Sequence, residues 1–367
     1  MKPALSIVIP VYNSERYLDQ CFTAILHQGL DLDEFEILAV DDGSSDRSVE
    51  VCRSWQNKLP NLTLITQENR GAGAARNAGM DHAQGNYLYF LDADDELIDG
   101  ALKILLTRCQ RDNLDVLFFA GEAVFESEEL RREHPGLEHY LERRQAPGIT
   151  DGETLLIEQE KTGNFCGQPC VMVTRHALAL SAGARFAEGV MNEDNIFVLR
   201  ATLNAKRADT DQAAYYRYHV RSRSVTTSNT SGAKHCLSLL QFAQDFEHER
   251  LKAVAAGKPE LARSIENLVY WASDEAISKL SADEANATDE HAMCLRATPD
   301  LALALRFARE LKALRANAGA RIEAEERALQ LANQLATMKA STSWKVGRAV
   351  TALPRTIKDS TRHANER

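Results

Sequence analysis

One short segment constrains the fold of this chain more than any other, because a predicted buried strand ends there at three carboxylates. Residues Tyr87 to Leu91 form a continuous apolar run of strand length. Asp92, Asp94 and Asp95 follow at once. Continuous apolar strands are typical of parallel sheets, which bind ligands at the carboxyl ends of their strands. The acids would repel one another there unless they cap the next helix or hold a divalent cation through oxygen ligands.

Strands and helices alternate along the first third of the chain. Apolar runs predict strands at 5–10, 35–40, 62–66, 87–91 and 115–123, with helices between them. This alternation predicts an α/β fold whose sheet is mainly parallel and carries helices on both faces. Right-handed crossovers would bring the loops that follow the strands to one edge of the sheet.

Polar loops follow several of these strands, and all of them would meet at that edge. They are residues 10–13, 41–46, 71–77 and 92–95. Helix N-termini in such loops bind anions, and Arg76 can pair with a phosphate. Asp42 can accept a hydrogen bond from a base N–H, and Asp92 can accept one from ribose hydroxyls. Each loop alone is explained by capping or turn formation, but four in order predict a nucleotide pocket.

Composition narrows the class of protein. The chain has 367 residues, 44% of them hydrophobic and 26% charged, which is enough for a large core. Its net charge of −10 argues against nucleic acid as a partner. An odd number of cysteines without framework spacing predicts reduced thiols and a cytoplasmic setting. We find neither a secretory signal nor an apolar run long enough to span a membrane.

Four motifs resemble those of the inverting family-2 glycosyltransferases, which have the GT-A fold. They are Ser6-Ile-Val-Ile-Pro-Val-Tyr-Asn13, Val40-Asp-Asp-Gly-Ser-Ser-Asp46, Asn69-x-Gly71 with Ala75-Arg76-Asn77-x-Gly79, and Phe90-Leu-Asp-Ala-Asp-Asp95. The resemblance is strong over residues 1–120 and weakens towards residue 230. It implies a nucleotide-sugar donor, with a UDP-sugar expected, a divalent cation (Mn²⁺ or Mg²⁺) and a hydroxyl on a glycan or lipid-linked acceptor.

The same resemblance implies roles for individual residues. Asp42 would contact a uracil-type base, Asp92 the ribose, and Asp94 the metal. The other donor-nucleotide contacts that it implies are Pro10, Tyr12, Asn13, Arg76, Asn77 and Ala93.

An acidic pair, Glu193 and Asp194, precedes an apolar run in the second half of the predicted catalytic domain. By itself the pair would be explained as a helix cap. An inverting transfer, however, needs a base to take the proton of the attacking hydroxyl. The family resemblance implies that such a pair faces the acceptor, with Asp194 rather than Glu193 as the base.

A cluster of cations follows in the segment 215–226. Arg217, Arg221 and Arg223 are dense for an acidic chain and could neutralise a departing diphosphate. His219 could be a further metal ligand, because imidazole suits Mn²⁺ better than Mg²⁺. A surface hairpin with a partly buried histidine is the alternative.

We predict a GT-A catalytic domain at 1–232, with a donor half at 1–123 and an acceptor half at 124–232. A helical region at 233–340 follows and could form a homo-oligomer. The tail 341–367 carries six Lys/Arg and two acids. Residues 341–362 suit an anionic membrane surface, which would place the protein on the inner face of the cytoplasmic membrane. The tail also resembles the Ser-x-Ser-Trp tails of bacterial surface-polysaccharide glycosyltransferases. A frayed basic tail is the alternative.

Three other classes of protein fit these residues less well. A Rossmann dinucleotide site and a nucleotidyltransferase both need a glycine-rich signature after the first strand, where this chain has Pro-Val-Tyr-Asn-Ser. A non-catalytic nucleotide-sugar-binding or scaffold protein of a polysaccharide assembly complex would not need the complete set of carboxylates. The sequence therefore predicts a metal-dependent, inverting glycosyltransferase of cell-surface polysaccharide synthesis.

Overall fold

A computed structural model describes residues 2–143, 148–222 and 232–286 of the chain. Within these residues, eight strands form one sheet. Their bounds are β1 Leu5–Val11, β2 Phe35–Asp41, β3 Leu62–Thr66, β4 Tyr87–Phe90, β5 Glu96–Leu97, β6 Val116–Phe125, β7 Met172–Arg175 and β8 Ala208–Val220.

Helices connect and flank the strands. They are α1 Leu18–Leu26, α2 Ser48–Trp55, α3 Ala72–His82, α4 Ala101–Arg111, α5 Glu128–Glu133, α6 Gly152–Lys161, α7 His176–Ser181, α8 Asn195–Leu203, α9 Gly232–Ala255 and α10 Pro259–Asn286.

The order of the strands in the sheet is β3-β2-β1-β4-β7-β6-β8-β5. Strands β1 to β4 pair in parallel, as do β6 and β8, whereas the β4–β7, β6–β7 and β5–β8 pairs are antiparallel. The predicted α/β fold is therefore confirmed, with the parallel part concentrated in the first half of the catalytic region. The carboxyl ends of β1, β2 and β4 lie at one edge, as the crossover argument requires.

The two faces of the sheet bury separate apolar clusters. Ile7 and Tyr89 belong to one cluster, while Val8 and Phe90 belong to the other. Successive side chains of a strand point to opposite faces, so a strand buried on both sides reads as a continuous apolar run. This burial explains the pattern that predicted β1 and β4.

Some predicted boundaries were wrong. Strand β1 continues past Pro10 to Val11, because its pairing with β4 ends at Val8 and the missing N–H of Pro10 interrupts no bond to that strand. Strand β4 ends at Phe90, one residue before the predicted end, and β6 runs from Val116 to Phe125, two residues beyond the predicted end.

The chain divides into two compact units. The first comprises Met1–Thr230 and Asp245–Val269, and holds the whole sheet. The second comprises Ser231–Gln244 and Tyr270–Arg367, where the rings of Phe242 and Trp271 meet edge to face at 5.9 Å. The tail 341–367 and Arg223 lie outside the described residues, as does half of the predicted helical region, residues 287–340. No helix in the described part of the chain is long and apolar enough to cross a membrane.

Candidate active site

Side-chain hydrogen bonds join the loops that follow β1 and β2. Asn13 has a left-handed backbone with φ of 50°, a conformation that asparagine tolerates better than most residues. Its Oδ1 accepts a hydrogen bond from the Ser45 amide at 2.8 Å. Pro10 is the next-to-last residue of β1, and the Tyr12 side chain is exposed. The structure thus brings the first two predicted loops together.

Asp42 is a buried carboxylate that shapes the loop leading into α3. Its Oδ1 accepts hydrogen bonds from Gln67 Nε2 at 2.8 Å and from the Arg70 amide at 2.9 Å, and its Oδ2 accepts one from the Gly71 amide at 2.7 Å. Hydrogen bonds to a charged acceptor are stronger than neutral ones, so this carboxylate fixes the third loop against the second.

The acidic loop after β4 does not cap a helix. Strand β4 ends at Phe90 and β5 begins at Glu96. The next helix, α4, begins only at Ala101, with Gly100 as its N-cap. Helix capping is therefore excluded as the reason for the three acids.

Asp95 is the structural member of this acidic loop. It is buried, its Oδ2 accepts a hydrogen bond from the Tyr216 hydroxyl, and its Oδ1 accepts one from the His219 amide at 2.7 Å. Burial and the neighbouring Asp94 and Asp92 carboxylates raise the pKa of Asp95 well above its usual value. The residue ties the acidic loop to the end of β8.

Asp94 is the accessible member, with 42% of its side chain exposed. Its Oδ2 lies 2.7 Å from Nη1 of Arg221, whose other terminal nitrogen donates to the Asp94 carbonyl oxygen. The same guanidinium lies 4.2 Å from the centre of the Tyr17 ring. Desolvation and the Asp92 carboxylate raise the pKa of Asp94, and Arg221 opposes that rise. The loop therefore favours a cation beside Asp94.

The backbone of His219 is bonded to this loop, whereas its side chain contacts Glu96 at the start of β5. Its Nε2 is 2.8 Å from Oε1 of Glu96. No group of three His, Cys, Asp or Glu side chains within the described ranges is arranged to hold a metal ion by itself. Asp94 and His219 are thus two separate candidate ligands and do not form a complete protein cage.

Arg76 is a buried guanidinium between two carboxylates. Its Nη2 lies 2.8 Å from Oδ1 of Asp92, and its Nη1 lies 2.7 Å from Oε1 of Glu193. Burial works against the charge, but Asp92 and Glu193 outweigh it and raise the pKa of Arg76 well above its usual value. Both terminal nitrogens of the guanidinium are thus paired with protein carboxylates, and the predicted contact of Arg76 with the donor stays a prediction.

Aromatic packing holds the loop before α8 against the end of β4. The rings of Phe186 and Phe197 are stacked with centres 4.4 Å apart, and Phe90 meets both edge to face at 4.9 and 5.2 Å. Phe90 is only two residues before Asp92. The acidic loop and the Glu193–Asp194 pair therefore rest on one shared aromatic cluster.

Asp194 stands at the N-terminus of α8 without capping it, because its side chain accepts no hydrogen bond from the helix. Desolvation and the adjacent Glu193 carboxylate raise the pKa of Asp194 to about 7, against the opposing charge of Arg76. A carboxylate that is not used as a cap and titrates near neutrality is suited to general-base chemistry.

The remaining predicted residues lie near the site with other partners. The Asn77 amide pairs with the backbone of Phe186, donating to its carbonyl and accepting from its N–H, both at 3.0 Å. Ala93 is buried in the acidic loop. Arg217 forms an ion pair with Glu122 at 2.8 Å. The structure does not bring Arg217 to Asp94.

Sequence reasoning missed Arg70 and Tyr216. Arg70 reaches Glu188 at 2.5 Å, which links the loop held by Asp42 to the loop before α8. Tyr216 holds Asp95, as described above. The signal for Tyr216 was present, since alternation along β8 places it on the face opposite Arg217 and beneath the acidic loop.

A mixed sheet with carboxylate loops at the ends of its parallel strands defines a protein of the GT-A class. Residues 6–178 match Glycosyl transferase family 2. The chain therefore carries a family-2 glycosyltransferase domain, as the four motifs indicated.

Similarity to individual proteins extends further along the chain. It is 28% identical over 231 residues to the Escherichia coli K12 protein YibD, described as an uncharacterized glycosyltransferase, and this covers 63% of the chain and 65% of YibD. It is 28% identical over 216 residues to TarS of Staphylococcus aureus Mu50, a poly(ribitol-phosphate) beta-N-acetylglucosaminyltransferase, which covers 58% of the chain and 35% of TarS. The chain thus spans less than two-thirds of the length of either relative.

The fold is shared with a solved structure over nearly the whole chain. The crystal structure of S. aureus TarS 1-349 in complex with UDP-GlcNAc superimposes with a TM-score of 0.62 at 21% identity. The match covers 91% of this chain and 92% of that one. At this identity the likeness establishes the GT-A fold.

Proposed function

We propose that the protein transfers a sugar from a nucleoside-diphosphate sugar, a UDP-sugar, to a hydroxyl of a glycan or lipid-linked acceptor during synthesis of a cell-surface polysaccharide. The observation that carries this proposal is Asp194. It has a pKa raised to about 7 and is joined through Glu193 and Arg76 to the donor-side carboxylate Asp92. A binding or scaffold protein would not need a base in that position.

The donor would occupy the edge formed by the loops after β1, β2 and β4. Asp42 holds the loop that would contact the base, and the partly exposed Asp92 suits the ribose hydroxyls. Arg221 forms an ion pair with Asp94, and from this position its guanidinium can contact the diphosphate. These roles are supported by the convergence of the loops, and the choice of a UDP-sugar is supported by the complex of the structural neighbour TarS 1-349 with UDP-GlcNAc.

The transfer would proceed with inversion. The acceptor hydroxyl attacks the anomeric carbon on the side opposite the diphosphate, forming the new C–O bond as the bond to the leaving oxygen breaks. Asp194 takes the proton of the hydroxyl. The electron pair of the broken bond leaves with the nucleoside diphosphate.

A divalent cation, Mn²⁺ or Mg²⁺, fits the acidic loop. Asp94 binds Arg221 through Oδ2, and His219 binds Glu96 through Nε2. No other side chain of the described residues engages Asp94 Oδ1 or His219 Nδ1, so these atoms would be the protein ligands. Mg²⁺ is usually bound by only a few protein ligands, and substrate phosphates complete its coordination. When bound, the cation would neutralise charge on the leaving diphosphate.

The setting of the reaction is also a proposal. We expect the protein to work in the cytoplasm, with residues 341–362 on the inner face of the membrane close to lipid-linked acceptors. This rests on the sequence alone: six Lys/Arg and two acids in the tail 341–367, within a chain of net charge −10. Homo-oligomerisation through the C-terminal helices likewise rests on sequence alone.

UDP binding tests the metal assignment. Asp94→Asn should keep the fold, because asparagine has nearly the same shape and the side chain is 42% exposed, and it should abolish the dependence of UDP binding on Mn²⁺. Isothermal titration of UDP with and without Mn²⁺ measures this. Asp99→Asn is the matched control, since Asp99 is 81% exposed and pairs only loosely with His27 at 3.8 Å. Equal Mn²⁺-dependent affinity in Asp94→Asn and the parent would refute the assignment.

A further inference from the structure

We propose that Arg76 is a positioning residue, which holds the acceptor-side pair Glu193–Asp194 in a fixed place relative to the donor-side Asp92 and does not bind the donor phosphates. The inference rests on the proposed glycosyl transfer and assigns Arg76 a role different from the one its sequence motif implied.

The first argument is geometric. The guanidinium is buried, with 6% of the side chain exposed, and each of its terminal nitrogens has its own carboxylate at 2.7 or 2.8 Å. Its central carbon lies over the Phe186 ring, 5.4 Å from the ring centre. To move towards a phosphate, the guanidinium would have to give up its ion pair with Asp92 or with Glu193, and breaking a largely buried pair is unfavourable.

The second argument comes from the backbone around Arg76. A Cβ on Gly73, one turn earlier in α3, would lie 2.2 Å from the Ala187 carbonyl oxygen and 3.0 Å from Glu193 Cγ. The Ala187 amide donates to the Glu193 carbonyl oxygen at 3.0 Å, which closes the loop on itself. The absence of a side chain at Gly73 therefore lets this loop approach α3 closely enough for Glu193 to reach Arg76.

Further contacts anchor the same loop along α3. The Asn77 side chain forms hydrogen bonds with both the carbonyl and the N–H of Phe186, and Arg185 pairs with Asp81 at 2.5 Å. Helix α3 begins beside the loop that Asp42 orders. One helix thus positions parts of both the donor and the acceptor sides, and Arg76 is the buried charge that links them.

The charge of Arg76 also affects the pKa of Asp194. Desolvation raises the pKa of Asp194 most, the charges of Glu193 and Asp92 raise it further, and the charge of Arg76 lowers it. The phenol of Tyr140 also lies within range of the Asp194 charge. Removing the Arg76 charge should therefore raise the pKa of Asp194. Removing the Glu193 charge should lower it. Substitutions that only lowered the stability of the fold would not move the pKa of Asp194 in these two opposite directions.

Titration of the Asp194 carboxyl by NMR tests the inference without any substrate. Full-length protein would be labelled with ¹³C at the aspartate carboxyls, and Asp194→Asn identifies the resonance. We expect the titration to move to higher pH in Arg76→Gln, to move less in Arg76→Lys, and to move to lower pH in Glu193→Gln. A rise of one pH unit would reduce the ionised fraction at pH 7 about fivefold.

Arg108→Gln is the matched control. Arg108 also bridges two carboxylates, Asp209 and Asp211, at 2.7 and 2.6 Å, but on another part of the sheet. The control should lose stability without moving the Asp194 titration. If Arg76→Gln does not fold, Arg76→Lys and Glu193→Gln still give the two directions.

Calorimetric titration of UDP into the same proteins completes the test. We expect Arg76→Lys to bind UDP within about twofold of the parent, because Arg76 is proposed to make no contact with the donor phosphates. An unchanged Asp194 titration in the Arg76 variants, or a tenfold loss of UDP affinity in Arg76→Lys, would overturn the inference. Failure of the parent to bind UDP would instead count against the proposed function, and the NMR result would still decide the role of Arg76.

Discussion

Replacing the proposed base should make the folded protein more stable while removing its activity. Asp194 has a pKa raised to about 7, chiefly by desolvation and by the Glu193 carboxylate. The folded state must therefore accept an unfavourable charge at neutral pH, whereas the unfolded chain ionises the same group freely. Asparagine has nearly the same shape and no charge, so Asp194→Asn removes this destabilising contribution.

The size of the effect follows from proton linkage. The pKa of this group is about 3.9 in the unfolded chain, so its raised value in the folded protein lowers the free energy of unfolding by up to about 4 kcal/mol at pH 8. This figure is an upper one, because solvent screens a partly exposed group. The folded pKa is the higher one, so stability is lost as pH rises from about 4 to about 7. At pH 5 the difference should be only about 1.5 kcal/mol.

Thermal unfolding of parent and variant at several pH values measures this difference. At roughly 2 cal/mol/K per residue, 4 kcal/mol raises the Tm of a chain of this size by about 5 °C at pH 8, with about 2 °C expected at pH 5. Asp99→Asn, at an exposed position, should show no such trend. A variant no more stable than the parent at pH 8, or a gain independent of pH, would refute the reasoning.

Two further predictions concern the nucleotide loop and the tail. Asp42→Asn places an amide N–H against the N–H of Gly71 or Arg70, so one charge-assisted hydrogen bond is lost. UDP affinity should therefore fall about ten- to a hundredfold, and an unchanged affinity in calorimetry would contradict this prediction. Full-length protein should co-sediment with anionic vesicles and much less with neutral ones, whereas a chain ending at Ala340 should bind neither, because the cations after Ala340 supply about 1 kcal/mol each. Equal sedimentation of the two proteins would remove the membrane proposal.

The sequence was sufficient to predict the parallel core and the convergence of the loops. Strands such as β4 are buried on both faces, so their apolar runs are local signals that need no tertiary information. The shared edge of the sheet, on which the loops that carry Asp42 and Asp92 both lie, then follows from the handedness of the crossovers.

Partnerships between distant side chains could not be predicted. Arg76 reads locally as a cation in a phosphate-binding loop, and its pairing with Glu193, 117 residues away, depends on the approach permitted at Gly73. Arg217 and Arg221 lie four residues apart at the end of β8, so strand alternation alone does not distinguish them. Their distant partners do, because Arg217 pairs with Glu122 and Arg221 with Asp94.

Turnover of nucleotide sugars tests the central claim most directly. The full-length protein, with Mn²⁺ and each of a panel of UDP-sugars including UDP-GlcNAc, should release UDP, slowly with water and faster with a matching acceptor extract. The rate should rise with pH through about 7 as Asp194 ionises, and Asp194→Asn should lower it about 10²- to 10⁴-fold with UDP affinity nearly unchanged. Binding of UDP without release from any sugar, or full turnover by Asp194→Asn, would contradict the account.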